Sequence, residues 1–143
     1  MMFWAAIVFS LLLSVAIFFN LRPVAGGIDE GRLAPCPNKP NCVCSQDTDP
    51  QHAIEPLPAV GADPMITLAQ VVRQMPRTAI VKETPNYLHA TFQSKVFRFI
   101  DDVEFLYDPE EKVIQVRSAS RLGYSDFGVN RDRIEEIRNA LTL

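Results

Sequence analysis

The sequence predicts an α+β domain, with an antiparallel four-stranded meander flanked by two helices. Two observations carry this. Apolar residues recur at helical spacing at Met65, Leu68, Val72 and Met75, and again at Ile134, Ile137 and Leu141. Between these stripes the apolar residues alternate with polar ones at a period of two, as strands with one buried face do. The domain is expected over residues 63–143. A proline-rich strap, 22–62, and an apolar segment, 1–21, precede it.

Residues 3–19 read FWAAIVFSLLLSVAIFF, and the first charged side chain is Arg22. At about 1.5 Å per residue, residues 1–21 span about 30 Å as a helix, the thickness of a bilayer core. The segment is therefore expected to be a single membrane anchor. A cleaved signal peptide is the alternative, with Val24-Ala25-Gly26 as a tolerable cleavage site. The missing Lys or Arg before the apolar run and the length of the run argue against it. Arg22 and Arg32 after the segment favour a cytoplasmic domain by the positive-inside rule, while the cysteines favour an extracytoplasmic, periplasmic one. The expected localisation is a single-pass membrane protein with its domain outside the cytoplasm.

Pro23 to Pro64, the strap and the two residues after it, hold eight of the eleven prolines, and the strap shows no apolar periodicity. Proline lacks an N–H and disfavours helix before it, so the stretch reads as a linker or a strap on the domain surface. Its CPNKPNCVC run carries Cys36, Cys42 and Cys44. Three states are open to them: a Cys36–Cys42 disulfide across the proline-bent loop, reduced structural thiols, or a metal with His52 as fourth ligand. C-x5-C-x-C is not a standard zinc spacing. The disulfide is therefore the expectation, with Cys44 as the leftover thiol and no metal.

Asp63-Pro64 supplies a cap and a first-turn proline for the first helix, and Pro76 stops it. Strands are expected over 78–84 and 87–93. In the second, Leu88, Ala90 and Phe92 face one way and His89 and Thr91 the other. Residues 96–100 either extend a strand or bend into the next. Val103, Phe105 and Tyr107 alternate with Glu104 and Leu106, Asp108-Pro109-Glu110-Glu111 turns, and 113–118 returns. Asn130 is the expected cap of the last helix, with Val129 and Ile134 as a hydrophobic staple and Arg131–Glu135 as a surface pair.

The 143 residues make one domain's worth of chain, with 14 Lys+Arg against 17 Asp+Glu and a net charge of −3. Without a basic run there is no electrostatic footprint for nucleic acid. Residues 117–131, RSASRLGYSDFGVNR, are the chemically dense stretch, running from a strand end to a helix start. Arginine forks and free helix N–H groups suit an anion, which makes Arg117, Ser118, Ser120, Arg121, Asp126, Asn130 and Arg131 the candidate ligand-binding residues. The competing reading is a clasp, in which Arg117 and Arg121 pair with Asp101, Asp102 or Asp126 and the serines and Asn130 only cap backbone groups. Neither G-x-x-x-x-G-K-[ST] nor G-x-G-x-x-G occurs here.

CPNKPNCVCSQ, DDVEFLYDP and VRSASRLGYSDFGVNRDRIEEIR together resemble the family known as domain of unknown function 1499, over about residues 36–140. The resemblance implies that Cys36, Cys42, Asp101, Asp102, Arg117, Ser118, Ser120, Arg121, Asp126, Asn130 and Arg131 are family-type positions. It also implies a domain often found behind a signal or membrane segment. Cys44 departs from the serine expected in many members. No activity follows from the resemblance.

No catalytic residue is assigned. The only histidines are His52 and His89, no G-x-S-x-G elbow exists, and Asp101 and Asp102 point to opposite faces of an extended strand. No cofactor is expected. The sequence thus favours a membrane-tethered, non-enzymatic binding or accessory protein. Its partners would be the membrane, through residues 1–21, and a small anionic ligand or a protein. The alternatives are an enzyme with an arginine-rich anion site and a purely structural assembly partner. What separates them is whether the side chains of 117–131 converge on an open cavity.

Overall fold

A computed structural model describes Ile7, Val8, Ser10, Ser14 and residues 26–143. The anchor expected over 1–21 thus lies outside the described residues, apart from those four positions. No helix among the described residues is long and apolar enough to cross a membrane.

In chain order the elements are β1 (Ile28–Asp29), β2 (Arg32–Leu33), β3 (Cys42–Cys44), β4 (Leu57–Pro58), α1 (Pro64–Gln74), β5 (Thr78–Glu83), β6 (Tyr87–Gln93), β7 (Ile100–Asp108), β8 (Val113–Ser120) and α2 (Val129–Leu141). The fold is α+β, but the sheet is larger than the expected four-stranded meander. It has six strands in the order β3-β8-β7-β6-β5, with β4 also on β8, and β1 and β2 form a separate hairpin. All pairings between these strands are antiparallel.

The two additional sheet strands come from the stretch expected to lie as a strap. β3 covers one half of β8's outer edge, with Cys42 opposite Ala119, and β4 the other half, with Leu57 opposite Ile114. At three and two residues they are too short to show alternation. Pro58 can sit in β4 because the strand lies at an edge, where a missing N–H leaves no ladder bond unmade. Their side chains also enter the core. Val43, Ile54 and Leu57 pack in one cluster with Leu68 and Val72 of α1, Ile134 and Ile137 of α2, and Leu88, Val103, Phe105, Ile114 and Val116 of the sheet. Both helices therefore cover the same sheet face.

α1 ends before Pro76, with Met75 already extended, as the residue before a proline prefers. Asp63 precedes it but makes no side-chain cap bond. α2 begins two residues earlier than expected: Gly128, left-handed at φ 86°, is the cap, and Asn130 lies inside the first turn. Asn130 is withdrawn from capping because its side chain is buried among other partners. Val129, an exposed first-turn residue, is not the residue before the cap that a staple requires. Arg131 donates to the Gln51 carbonyl at 3.3 Å, and Glu135 pairs instead with Arg138 at 2.9 Å. The 94–99 segment is a connection, closed by Ser94 N–H donating to the Phe99 carbonyl at 2.8 Å, and it extends neither β6 nor β7.

Leu57 decides whether the proline-rich stretch belongs to the core. Leu57→Ala is expected to lower the unfolding free energy by about 2–5 kcal/mol, as a buried large-to-small change does. Denaturant unfolding measures it. A change within about 0.5 kcal/mol, typical of a surface site, would contradict the packing described.

Candidate functional site

Alternation turns the second set of side chains to the face away from the helices. Register stacks them in rows: His89 opposite Glu104, Glu104 opposite Arg117, Arg117 opposite Cys44, and beside them Thr91, Asp102, Ala119 and Cys42. One face of an antiparallel sheet is often solvated. This face instead buries charge, with Arg117 1% and Glu104 2% exposed. Its cover is the start of the described chain. Leu33 of β2 packs with Cys44, Tyr87 and Leu106 in a second apolar cluster, with Cys36 against it.

Glu104 is the centre of this face. Its carboxylate accepts from Gly27 N–H at 2.5 Å, from the Tyr87 hydroxyl at 2.7 Å and from Arg117 Nη1 at 3.2 Å. Gly26 lies so close that a Cβ there would collide with the Glu104 carboxylate, so only glycine fits. Arg117 Nε meets no acceptor among the described residues, which leaves Glu104 as the charge that balances it. Burial, then the hydrogen bond to Glu104 and its charge, push the Tyr87 phenol well above the ordinary tyrosine value. Burial likewise pushes the Cys44 thiol up, against smaller opposing effects that include the Arg117 charge. A thiol so raised is a poor nucleophile.

One row away, Asp102 takes Arg121 in a fork, Nε to Oδ2 and Nη2 to Oδ1, both at 2.8 Å, and His89 Nε2 lies 2.9 Å from Oδ1. Asp101 points to the other face, where Arg133 reaches it at 2.5 Å and stacks over the Phe92 ring at 4.8 Å. On that side Asn130 accepts from Ser118 Oγ at 2.5 Å. It donates through Nδ2 to the Asn41 carbonyl at 3.1 Å, to Ser120 Oγ at 2.9 Å and to Asp126 Oδ2 at 2.7 Å. These bonds tie α2 to β8, to the loop before it and to the chain entering β3.

The seven candidate residues therefore do not meet at one place. Arg117 lies under the strap and Arg121 on the same outer face, while Ser118, Ser120, Asp126 and Asn130 lie on the helix side. Arg131 borders a hollow of about 80 Å³ with Gln51, Asp126 and Gly128. Sequence reasoning missed Glu104, Arg133 and Tyr87. Alternation alone puts Glu104 on the outward set, but its pairing with Arg117 depends on the β7–β8 register, which the sequence does not print. Arg133 stands three residues after Asn130 on α2, a spacing that returns it to the same helix face.

Cys36 and Cys42 are joined in a disulfide, with Cα atoms 5.7 Å apart, and Cys44 is free and buried. His52 is buried with Nδ1 3.0 Å from the Cys42 carbonyl oxygen, a structural bond. Among the described residues no group of three or more His, Cys, Asp or Glu is arranged to hold a metal ion.

Fold and site together define a small α+β domain whose charged sheet face is closed by its own N-terminal strap. The family described as "Protein of unknown function (DUF1499)" matches residues 32–141, and the chain belongs to that family. No curated protein and no solved structure matches it.

Two expectations follow from the Glu104 cluster. Glu104→Ala leaves the Arg117 charge buried without its partner and is expected to cost about 3–5 kcal/mol. The double variant Glu104→Leu, Arg117→Leu should recover most of that in urea titrations. An additive double loss would contradict the pairing. Tyr87 supplies the second. A folded pKa above the ordinary value of about 10 gives stability that is fully present below pH 10 and is lost as pH rises toward the folded value. Tyrosinate absorbance should therefore show one of the three tyrosines ionising only with unfolding. Tyr87→Phe should remove that phase. Ionisation of Tyr87 at about pH 10 in the folded protein would overturn the assignment.

Proposed function

We propose that the protein is a membrane-tethered, extracytoplasmic domain with a structural or assembly role. In this reading the charge of the 117–131 stretch fastens the strap and the last helix to the sheet. One observation carries it: Arg117 and Arg121 each already hold an internal carboxylate, Glu104 and Asp102. An anion taken by Arg121 would have to displace Asp102 and leave that buried carboxylate facing the newcomer, which costs more than it returns. The hollow beside Arg131 is too small for a substrate-sized molecule.

The compartment rests on the disulfide, since such bonds persist in oxidising surroundings. The tether rests on the uncharged apolar run of residues 3–19. Cell fractionation followed by a carbonate wash of the membranes tests the tether, with the full chain expected in the washed membrane. A soluble protein beginning near Gly27 would overturn it. Thermal melts with a phosphate and carboxylate panel test the clasp. No ligand-dependent rise is expected, and one that disappears in Arg121→Ala would restore the anion site.

A further inference from the structure

The end of the sheet where β6 passes to β7 carries an apolar surface that the core does not use. Phe97, 74% exposed, stacks on Phe99 at a centroid distance of 5.5 Å, with Val96 beside them in sequence and also exposed. The loop after β8 emerges at the same end, because Arg121 N–H donates to the Ile100 carbonyl at 3.0 Å. That loop adds Tyr124, 71% exposed, and Phe127, 94% exposed. Phe127 is held outward in a left-handed conformation, φ 55°. Its neighbour Asp126 is turned inward onto the Gly128 and Asn130 N–H groups. Scattered single apolar residues on a surface need no account, but exposed aromatic residues on two loops at one end of a sheet do.

We propose that this tip inserts into the headgroup region of the bilayer that holds the tether; the inference rests on the tether proposed above. Three observations select a lipid surface as the occupant. The first is reach. From Leu21 to Gly26 the chain spans five steps, at most about 18 Å when extended. Gly26 sits at the level of Glu104, and Glu104 is four residues from Ile100, about 13 Å along β7. The Ile100 end, about 13 Å along β7 from the level of Gly26, is thus within the length that the connecting residues can span. The second is direction. Ile28 lies beside Leu106, Tyr107 and Asp108, and Gly26 beside Glu104, so read backward the chain runs toward the Ile100 end.

The third is charge. The tip turn carries Lys95 and Arg98 and no acidic residue between Gln93 and Ile100. The turn at the opposite end carries Asp108, Glu110 and Glu111 against Lys112. Beside an anionic bilayer this polarity turns the aromatic end inward and the acidic end away. Aromatic rings flanked by cationic side chains are the chemistry that settles at the membrane–water interface.

The test uses the full chain reconstituted into phosphatidylcholine–phosphatidylglycerol vesicles. An environment-sensitive fluorophore is placed through Val96→Cys or Tyr124→Cys, with Glu110→Cys as the far-end control. Flotation with the vesicles first establishes the tether on its own. The expected result is a blue shift at the two tip positions and several-fold stronger quenching there than at position 110 by lipids carrying a quencher near the headgroup. Phe97→Ser with Phe127→Ser should abolish that difference while the protein still floats with the vesicles. Equal, solvent-like signals at the tip and at position 110 in floated protein would overturn the insertion and leave the tether standing. Shielding of the tip in native membranes but not in lipid vesicles would overturn it too, in favour of a protein partner. Failure to float would defeat the tether itself.

Discussion

A carboxylate and a guanidinium placed opposite each other on the outer face of a sheet must be either solvated or sealed. Glu104 and Arg117 are sealed, and much of the N-terminal architecture follows from that choice. Taking both charges out of water is expensive, and the pair itself returns little net stability. What it does impose is specificity: the cover must bring a donor to each free lone pair of Glu104 and exclude water from Arg117. Gly27 N–H and the Tyr87 hydroxyl supply the donors, and Gly26 allows the backbone to approach closely enough. Leu33 then closes the apolar side with Cys44 and Leu106. The disulfide pins Cys36, which packs against this cluster, to β3, whose Cys44 lies in the same row as Arg117. Loop and cover are held by one covalent bond.

Asp101 and Asp102 show how the same principle works on both faces. Adjacent in β7, they project to opposite sides, and each meets an arginine from a different segment: Arg133 from α2 and Arg121 from the loop before it. The loop between β8 and α2 is therefore gripped from both sides of the sheet. Asn130 adds the connection to Asn41 and through it to β3. A residue suited to capping a helix serves here as the junction of four segments. The capping duty passes to Gly128, which adopts the left-handed conformation at no steric cost.

The parts of this fold legible in the sequence are those with period. Four to five residues of alternation suffice to find β6, β7 and β8, and stripes three and four apart find both helices. β3 and β4 have no period to detect, and prolines around them point away from strand. They form because β8 offers an open edge and because Val43 and Leu57 have a core to enter, facts that belong to the assembled sheet. Charge pairing was half legible. The clasp alternative offered Asp101, Asp102 or Asp126 to Arg117 and Arg121 without assigning them, Glu104 for Arg117 required the register between two strands, and Arg133 required the angle at which α2 crosses the sheet. The Cys36–Cys42 pairing was legible because it is local: the five intervening residues are bent by two prolines.

Family membership begins at Arg32, inside β2, and runs to Leu141 at the end of α2. That span contains both apolar clusters and the pairs Asp101–Arg133, Asp102–Arg121 and Glu104–Arg117. The Glu104 cluster reaches further, because two of its contacts, Gly26 and Gly27, precede the matched region. Both set conditions on residue type: a Cβ at position 26 would meet the Glu104 carboxylate, and Gly27 sits at φ 102°, a left-handed conformation that favours glycine. The cover is therefore constrained where it meets Glu104, and Glu104 and Arg117, which share a buried charge balance, cannot be exchanged one at a time.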